Sequence, residues 1–504
     1  MPEPAPSPFH VEEQSIAELQ AALAAGRVTA ARLVEAYTAR IAALDRHGPA
    51  LGAVQELNPD APGIARTLDD ERRRGVVRGP LHGIPVLLKD NIATADRMEN
   101  TAGTLSLIGA RVQEDAFVAA RLRAAGAVIL GKASMTEWAN FKGAPGLSGW
   151  SARNGQGRNP YALDRTPRGS SSGSAIAVAA SLVAVAVGTE TDGSIVCPAA
   201  GNGVVGIKPT VGLTSRTRVI PISATQDTIG PFGRTVADAA ALLGALAGVD
   251  PDDAATTATD GRAHTDYTRF LDANALRGAR IGVPRDGYFG YSAKADAVIE
   301  RALAVMRELG AQVVDPVAIP HFDRRVLDPV ERTVMLYEFK AGVNAYLAGV
   351  SGAGVRTLTD VIEFNRRDPA ANLPFTGQEL LERADARGGL DEPEYREALE
   401  ACARLGRGGL DAAFAEHRLD ALVAPTTTPA WPIDVVNGDP ARESAAKSAA
   451  IAGYPLVSVP AGMVQGLPVG LTFMGPAWSE PALIAFAFAF ERATRARVAP
   501  ASAG

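Results

Sequence analysis

The sequence predicts an α/β protein: one large sheet, mixed and mostly parallel, covered by helices. Short continuous apolar runs at 84–88, 127–130, 183–187 and 204–207 alternate with Ala-rich helical stretches. Continuous rather than alternating apolar runs belong to strands buried on both faces, which requires helical layers above and below. Length agrees: 504 residues with 47% hydrophobic side chains can bury a large core.

Taken in order, Ser15-Ile16-Ala17-Glu18 has the form of a capping box, the Ser accepting from an early backbone N–H and the Glu reaching back. A second helix starts at Thr29, with Leu33, Tyr37, Ile41 and Leu44 on one face. Asn58-Pro59 interrupts the pattern before a charged helix that runs to about Arg74. A helical N-terminal segment, about 11–75, thus precedes a sheet-forming core of about 81–250. A strand-like run at 280–283 and a helix over 293–309 continue the alternation. From about 316 to 409 the character changes, with charged helical segments at 327–347, 380–386 and 392–405 separated by Gly and Pro. This reads as a helical insertion, suited to substrate selection because appended elements carry specificity. Strand-like runs return at 419–424, 456–459 and 469–473, followed by a helix over 481–495. The stretch from about 419 to 496 therefore rejoins the core sheet, and residues 1–504 are expected to form a single domain.

Composition excludes several function classes. The net charge is −6 with no block of like charges, so no nucleic-acid partner is expected. Cys197 and Cys402 are the only cysteines and no Cys/His spacing suits zinc, so neither metal nor cofactor is expected. The most apolar stretch, 175–187, falls short of the roughly 20 residues that span a bilayer, so a soluble protein without a membrane partner is expected. Residues 1–10 are Pro-rich and carry neither a basic nor an apolar signal region. The compartment stays open: cytoplasmic, or periplasmic or secreted if a leader has been removed.

Chemistry concentrates in Gly169-Ser170-Ser171-Ser172-Gly173-Ser174 and Gly188-Thr189-Glu190-Thr191-Asp192-Gly193-Ser194-Ile195. Either run alone reads as a Ser/Gly-rich turn. Together with Lys89, isolated at the end of the apolar run 84–88, they read as a site. A serine hydroxyl needs a base, and a lysine serves only if burial lowers its pKa from about 10.4 by up to about 3–5 units. Asp90 would oppose that shift, so its side chain should diverge from Lys89. A second serine can accept one proton while donating another, and so can relay between them.

These segments resemble the amidase-signature family from about 81 to 234 and again from 419 to 491. Gly83-Ile84-Pro85 through Lys89-Asp90 looks like its lysine strand, 169–175 its first Gly/Ser stretch, and 188–198 its nucleophile loop. Gly206-Ile207-Lys208-Pro209-Thr210 and Gly466-Leu467-Pro468-Val469-Gly470 are similar to further family segments. The resemblance implies a three-layer α/β/α sandwich, with Ser194 as nucleophile, Ser170 as a bridging serine on a cis peptide bond, and Lys89 as base. The backbone N–H groups of Thr191, Asp192, Gly193 and Ser194 would form the oxyanion hole. Where the family usually has Asp, Gly and Arg, this chain has Glu190, Asp192 and Val196. Those departures, with 149–153 and 336–342, are shared with the family's bacterial peptide amidases. The implied reaction is hydrolysis of a peptide's C-terminal carboxamide to acid and ammonia by a monomer whose partner is a small peptide amide. A broad small-molecule amidase and a transamidation subunit working with a partner protein remain alternatives. The Asp192 side chain could narrow the pocket, bind a polar substrate group, or hydrogen-bond structurally.

Other patterns compete less well. Gly169 to Gly173 fits GxSxG, but no strand precedes it. Ser444-Ala445-Ala446-Lys447 fits SxxK but reads as an ordinary helix turn, and the GxGxxG at 201–206 leads into a strand rather than a helix. His82 reads as structural. In the segment 131–141, Trp138 and Asn140 are candidate substrate contacts, and Phe141 reads as core.

Overall fold

The computed structural model describes residues 9–440 and 443–501; residues 1–8, within the Pro-rich start considered above, lie outside the described residues. The capping box closes as expected, Glu18 N donating to Ser15 Oγ at 3.2 Å and Ser15 N to the Glu18 carboxylate at 2.8 Å. Thr29 caps the next helix, Ala30–Arg40, which buries Leu33, Val34 and Tyr37.

Thirteen strands follow among the described residues: β1 (Val54–Leu57), β2 (Pro85–Lys89), β3 (Val128–Ala133), β4 (Trp150–Ser151), β5 (Gly155–Gln156), β6 (Val185–Glu190), β7 (Val205–Lys208), β8 (Thr228–Gly233), β9 (Arg280–Pro284), β10 (Gln312–Val317), β11 (Ala421–Pro425), β12 (Leu456–Val464) and β13 (Leu467–Met474). β4 and β5 form a small hairpin, and the other eleven make one sheet in the order β1-β3-β2-β6-β8-β7-β12-β13-β11-β9-β10. Every residue of β2, β3, β6, β7, β8 and β11 is buried, so both faces are covered by helices.

The sheet is large and mixed, as expected. Its parallel pairs gather in two trios, β3-β2-β6 and β11-β9-β10. The six remaining pairs are antiparallel, which corrects the expected proportion. One cause is the tight turn at Gln465-Gly466, which joins β12 to β13 and forces them antiparallel. Another is β8, a central strand containing Gly230, Pro231 and Gly233 that inserts antiparallel between β6 and β7.

Helix Ser172–Ala179 is buried at all eight residues. Its tight seating needs a glycine at 173, where a Cβ would stand 2.2 Å from Ala53 O and 2.5 Å from Ser134 N. Between β10 and β11 the chain is helical, beginning with the long helix Arg324–Ala348, as the insertion predicts. That helix packs Leu336, Phe339 and Val343 into one apolar cluster with Trp138, Phe141 and Ile222. No helix among the described residues is long and apolar enough to cross a membrane.

Candidate active site

Lys89 is the last residue of β2, in the parallel trio, and β6 beside it ends at Glu190. Both strands deliver their carboxyl ends to the same edge, where α/β sites form. Lys89 is fully buried, and its Nζ donates to Ser170 Oγ at 2.8 Å, Thr189 Oγ1 at 2.8 Å and Thr189 O at 3.2 Å. Asn91 Nδ2 donates to the same Thr189 hydroxyl at 3.1 Å. Burial lowers the Lys89 pKa from 10.5 to about 7, against the opposing pull of Asp227 and Glu190. Asp90 turns away, its carboxylate accepting from Gly103 N at 3.0 Å and from the Thr101 hydroxyl.

The serine run is sorted by its hydrogen bonds. Ser171 Oγ donates to Thr189 O at 2.9 Å, Ser172 Oγ to Arg168 O at 2.6 Å, and Ser174 Oγ to Val187 O at 3.0 Å. These three hydroxyls fasten the turn and helix to their surroundings and leave Ser170 as the one that meets Lys89. The Gly169–Ser170 peptide is cis. Ser171 N donates to Ser194 O at 3.1 Å, which stitches the two Ser-bearing loops together.

The loop after β6 is shaped by Glu190, whose buried carboxylate accepts from Ile195 N at 2.6 Å and Val196 N at 2.9 Å. Gly193 takes φ 82°, and a Cβ there would lie 2.9 Å from Cys197 Sγ. Among the described residues, the N–H groups of Thr191, Asp192, Gly193 and Ser194 donate to no protein acceptor. The loop therefore offers a set of unengaged donors.

Ser194 lines a cavity of about 420 Å³ with Asn140, Phe141, Arg168, Thr191 and Asp192. The helix Arg324–Ala348 adds Asp328 and Glu331 to the lining, which also includes Trp431 and Lys447. The Arg168 guanidinium lies 3.9 Å over the Trp431 ring and donates to Thr428 O at 3.2 Å. Lys447 Nζ is 2.6 Å from Asp192 Oδ2.

Several sequence expectations need correction here. Trp138 is a core residue, 1% exposed, packed edge-on against Phe339 at 6.0 Å and absent from the cavity wall. Trp138, Ala139 and Asn140 all have positive φ, and past this turn Asn140 reaches the cavity wall. Phe141 serves both as core and as wall. The SxxK stretch is no idle helix turn, because both Ser444 and Lys447 line the cavity. His82 is structural, its Nε2 3.0 Å from Leu68 O. Sequence reasoning missed Thr189, Asn91, Asp227 and Glu331. Of these, only Thr189 lies in one of the two Ser/Gly-rich runs.

A mixed α/β sheet whose parallel strands bring a buried lysine and two serine-bearing loops together beside one cavity defines an amidase architecture. The chain belongs to the Amidase family, whose sequence profile matches residues 32–484. It is similar to the peptide amidase of Stenotrophomonas maltophilia, at 54% identity and a TM-score of 0.93 over 98% of this chain and 99% of that one. An Arabidopsis thaliana protein named "Probable amidase" is 43% identical over 98% of this chain and 92% of its own. A glutamyl-tRNA(Gln) amidotransferase subunit from Chloroflexus aurantiacus is 37% identical over 95% of this chain and 96% of its own.

Proposed function

We propose that the protein hydrolyses the C-terminal carboxamide of peptides to the free acid and ammonia, acting as a monomer through an acyl-enzyme on Ser194. The observation that carries this reading is the buried Lys89 amine, 2.8 Å from Ser170 Oγ, with its pKa brought to about 7. A neutral amine has two N–H groups and one lone pair. Thr189 offers two acceptors for the N–H groups, so once Lys89 loses its third proton the bond to Ser170 reverses and the Ser170 hydroxyl donates to the lone pair. Ser170 passes its proton to Lys89 and takes that of Ser194, whose oxygen attacks the carboxamide carbon. The N–H groups of 191–194 receive the negative charge on the carbonyl oxygen, donors of a kind whose individual loss costs about 2.7–4 kcal/mol. The C–N bond breaks as the relay returns a proton to the leaving nitrogen, and ammonia departs. Water then enters by the same relay and releases the acid.

Since only neutral Lys89 accepts the proton, kcat/KM is expected to rise through about pH 7 and level off above it. Below the midpoint it should fall about tenfold per pH unit. A profile that declines above neutrality would contradict Lys89 as the base.

The 54% identity to a peptide amidase supports a peptide substrate, as does a cavity roomy enough for several side chains. Closure just beyond the scissile nitrogen would admit NH₂ but no further residue, sparing internal peptide bonds. Peptide amides, small free amides and unamidated peptides should be compared by ammonia release and product mass. Ammonia from the peptide amides, with an acid product that keeps every residue of the substrate, is the expected result. Activity confined to small amides would replace the peptide reading with a broad amidase. Likeness to an amidotransferase component supports a second reading, transamidation with a partner, and ammonia release by this chain alone would eliminate it.

A further inference from the structure

We infer that Lys447 is a positioning residue: together with Glu331 it fixes Asp192, and through it the loop of backbone donors at 191–194. This rests on the oxyanion role proposed above. Lys447 Nζ stands among three carboxylates, 2.6 Å from Asp192 Oδ2, 3.3 Å from Asp328 Oδ1, and in contact with Glu331 Oε2. Glu331 is 1% exposed and also accepts from Gln226 Nε2 at 2.8 Å. The neighbour of Gln226, Asp227, accepts from the Thr191 hydroxyl at 2.5 Å and from Ile222 N and Ser223 N at 2.8 and 2.9 Å.

The ties form a closed ring. Thr191 is held by Asp227 and Asp192 by Lys447, and both paths end on Glu331 in the helix Arg324–Ala348. The next residue is Gly193, whose carbonyl accepts from Cys197 N at 2.9 Å and so sets the peptide plane that carries the Ser194 N–H. The direction of the N–H groups at 192 and 193 depends on what holds 191 and 192. An ion pair in a poorly solvated wall is a stiff tie, because loss of one partner leaves an uncompensated charge. The ring also decides among the roles open to Asp192. Its Oδ2 is held by Lys447 while its Oδ1 is buried without a hydrogen-bond partner, which assigns it the part of holding the loop.

Burial works against the Lys447 ammonium, but Asp192, Glu331 and Asp328 outweigh it and hold its pKa well above the ordinary range. Lys447 therefore stays charged throughout the pH range in which Lys89 titrates. Weakening it should lower the rate at every pH without moving the profile's midpoint.

The test compares wild type, Asp192→Asn, Lys447→Arg and Ser194→Ala on the amide that wild type hydrolyses fastest. Inhibition is measured with the matching peptide aldehyde, whose adduct with Ser194 places an oxyanion in the loop, and with the product acid, whose adduct-free binding does not need it. Asp192→Asn keeps the side-chain shape and is expected to lower kcat about 10- to 100-fold, part of the 10²–10³ that one oxyanion donor supplies. KM should stay within about twofold, and aldehyde affinity should fall in proportion to kcat while product affinity holds. Lys447→Arg keeps the charge and should retain most of the rate. Unchanged kcat in Asp192→Asn, a rise in KM alone, or undiminished aldehyde affinity would each overturn the positioning role. A fully active Ser194→Ala would instead overturn the acyl-enzyme on which it rests. An inactive Ser194→Ala beside a fully active Asp192→Asn would overturn the positioning role alone.

Discussion

Replacing Ser194 by alanine is expected to lower kcat by about 10⁴-fold or more while leaving thermal stability unchanged. The first half follows from the chemistry: without the hydroxyl no acyl-enzyme forms, and only donor stabilisation and substrate positioning remain. The second half follows from the surroundings. Ser194 lines the cavity, and its hydroxyl makes no hydrogen bond among the described residues, so its removal leaves no buried group unpaired. Hydroxylamine added to a turning-over reaction should intercept the acyl group as a hydroxamate with wild type and not with the variant. Appreciable hydroxamate from Ser194→Ala would move the nucleophile elsewhere.

Lys89→Met is expected to cost about 10³- to 10⁴-fold in kcat, and whatever rate remains should lose its rise through neutral pH. The stability consequence has a definite sign. The Lys89 proton leaves at about pH 7 in the folded chain but at the ordinary 10.5 in the unfolded one. Between those values the unfolded chain holds more proton, so native stability climbs with pH. Below about 7 the folded chain carries the whole penalty of a buried ammonium, and near 10.5 it carries none. Methionine has no such penalty, though it leaves Ser170 and Thr189 short of a partner at every pH. The melting temperature of Lys89→Met relative to wild type should thus be most favourable at pH 6 and decline steadily toward pH 10. A difference independent of pH would mean that the amine is not desolvated.

Much of this was legible in the sequence for particular reasons. Lys89 stands out because it ends a run of residues apolar enough for two buried faces, which no surface lysine does. β9, β11 and the helix Glu480–Thr494 were equally plain from continuous apolarity or its helical period. β8 was not, because Gly230-Pro231 within Thr228–Gly233 carries the composition of a turn, and only its neighbours on both sides make it a strand. β10 was obscured by its exposure and by Asp315-Pro316. Trp138 misled because a sequence gives the spacing of an aromatic residue but not the sign of its φ. The Lys447–Asp192–Glu331 contacts were invisible for a different reason. Each partner is ordinary in its own segment, and the charges acquire meaning only once three distant stretches fold against one another.

That meeting of distant stretches has a bearing on refolding. The proposed base and nucleophile come from β2 and from the loop after β6, whereas much of the remaining lining of the receptacle comes from Arg324–Ala348 and from the stretch between β11 and β12. A chain folded only through its first half would own the proposed base, relay and nucleophile but only part of the wall that encloses an amide. Regained turnover after dilution from denaturant would accordingly report completion of the whole molecule, later than any probe of the early strands alone.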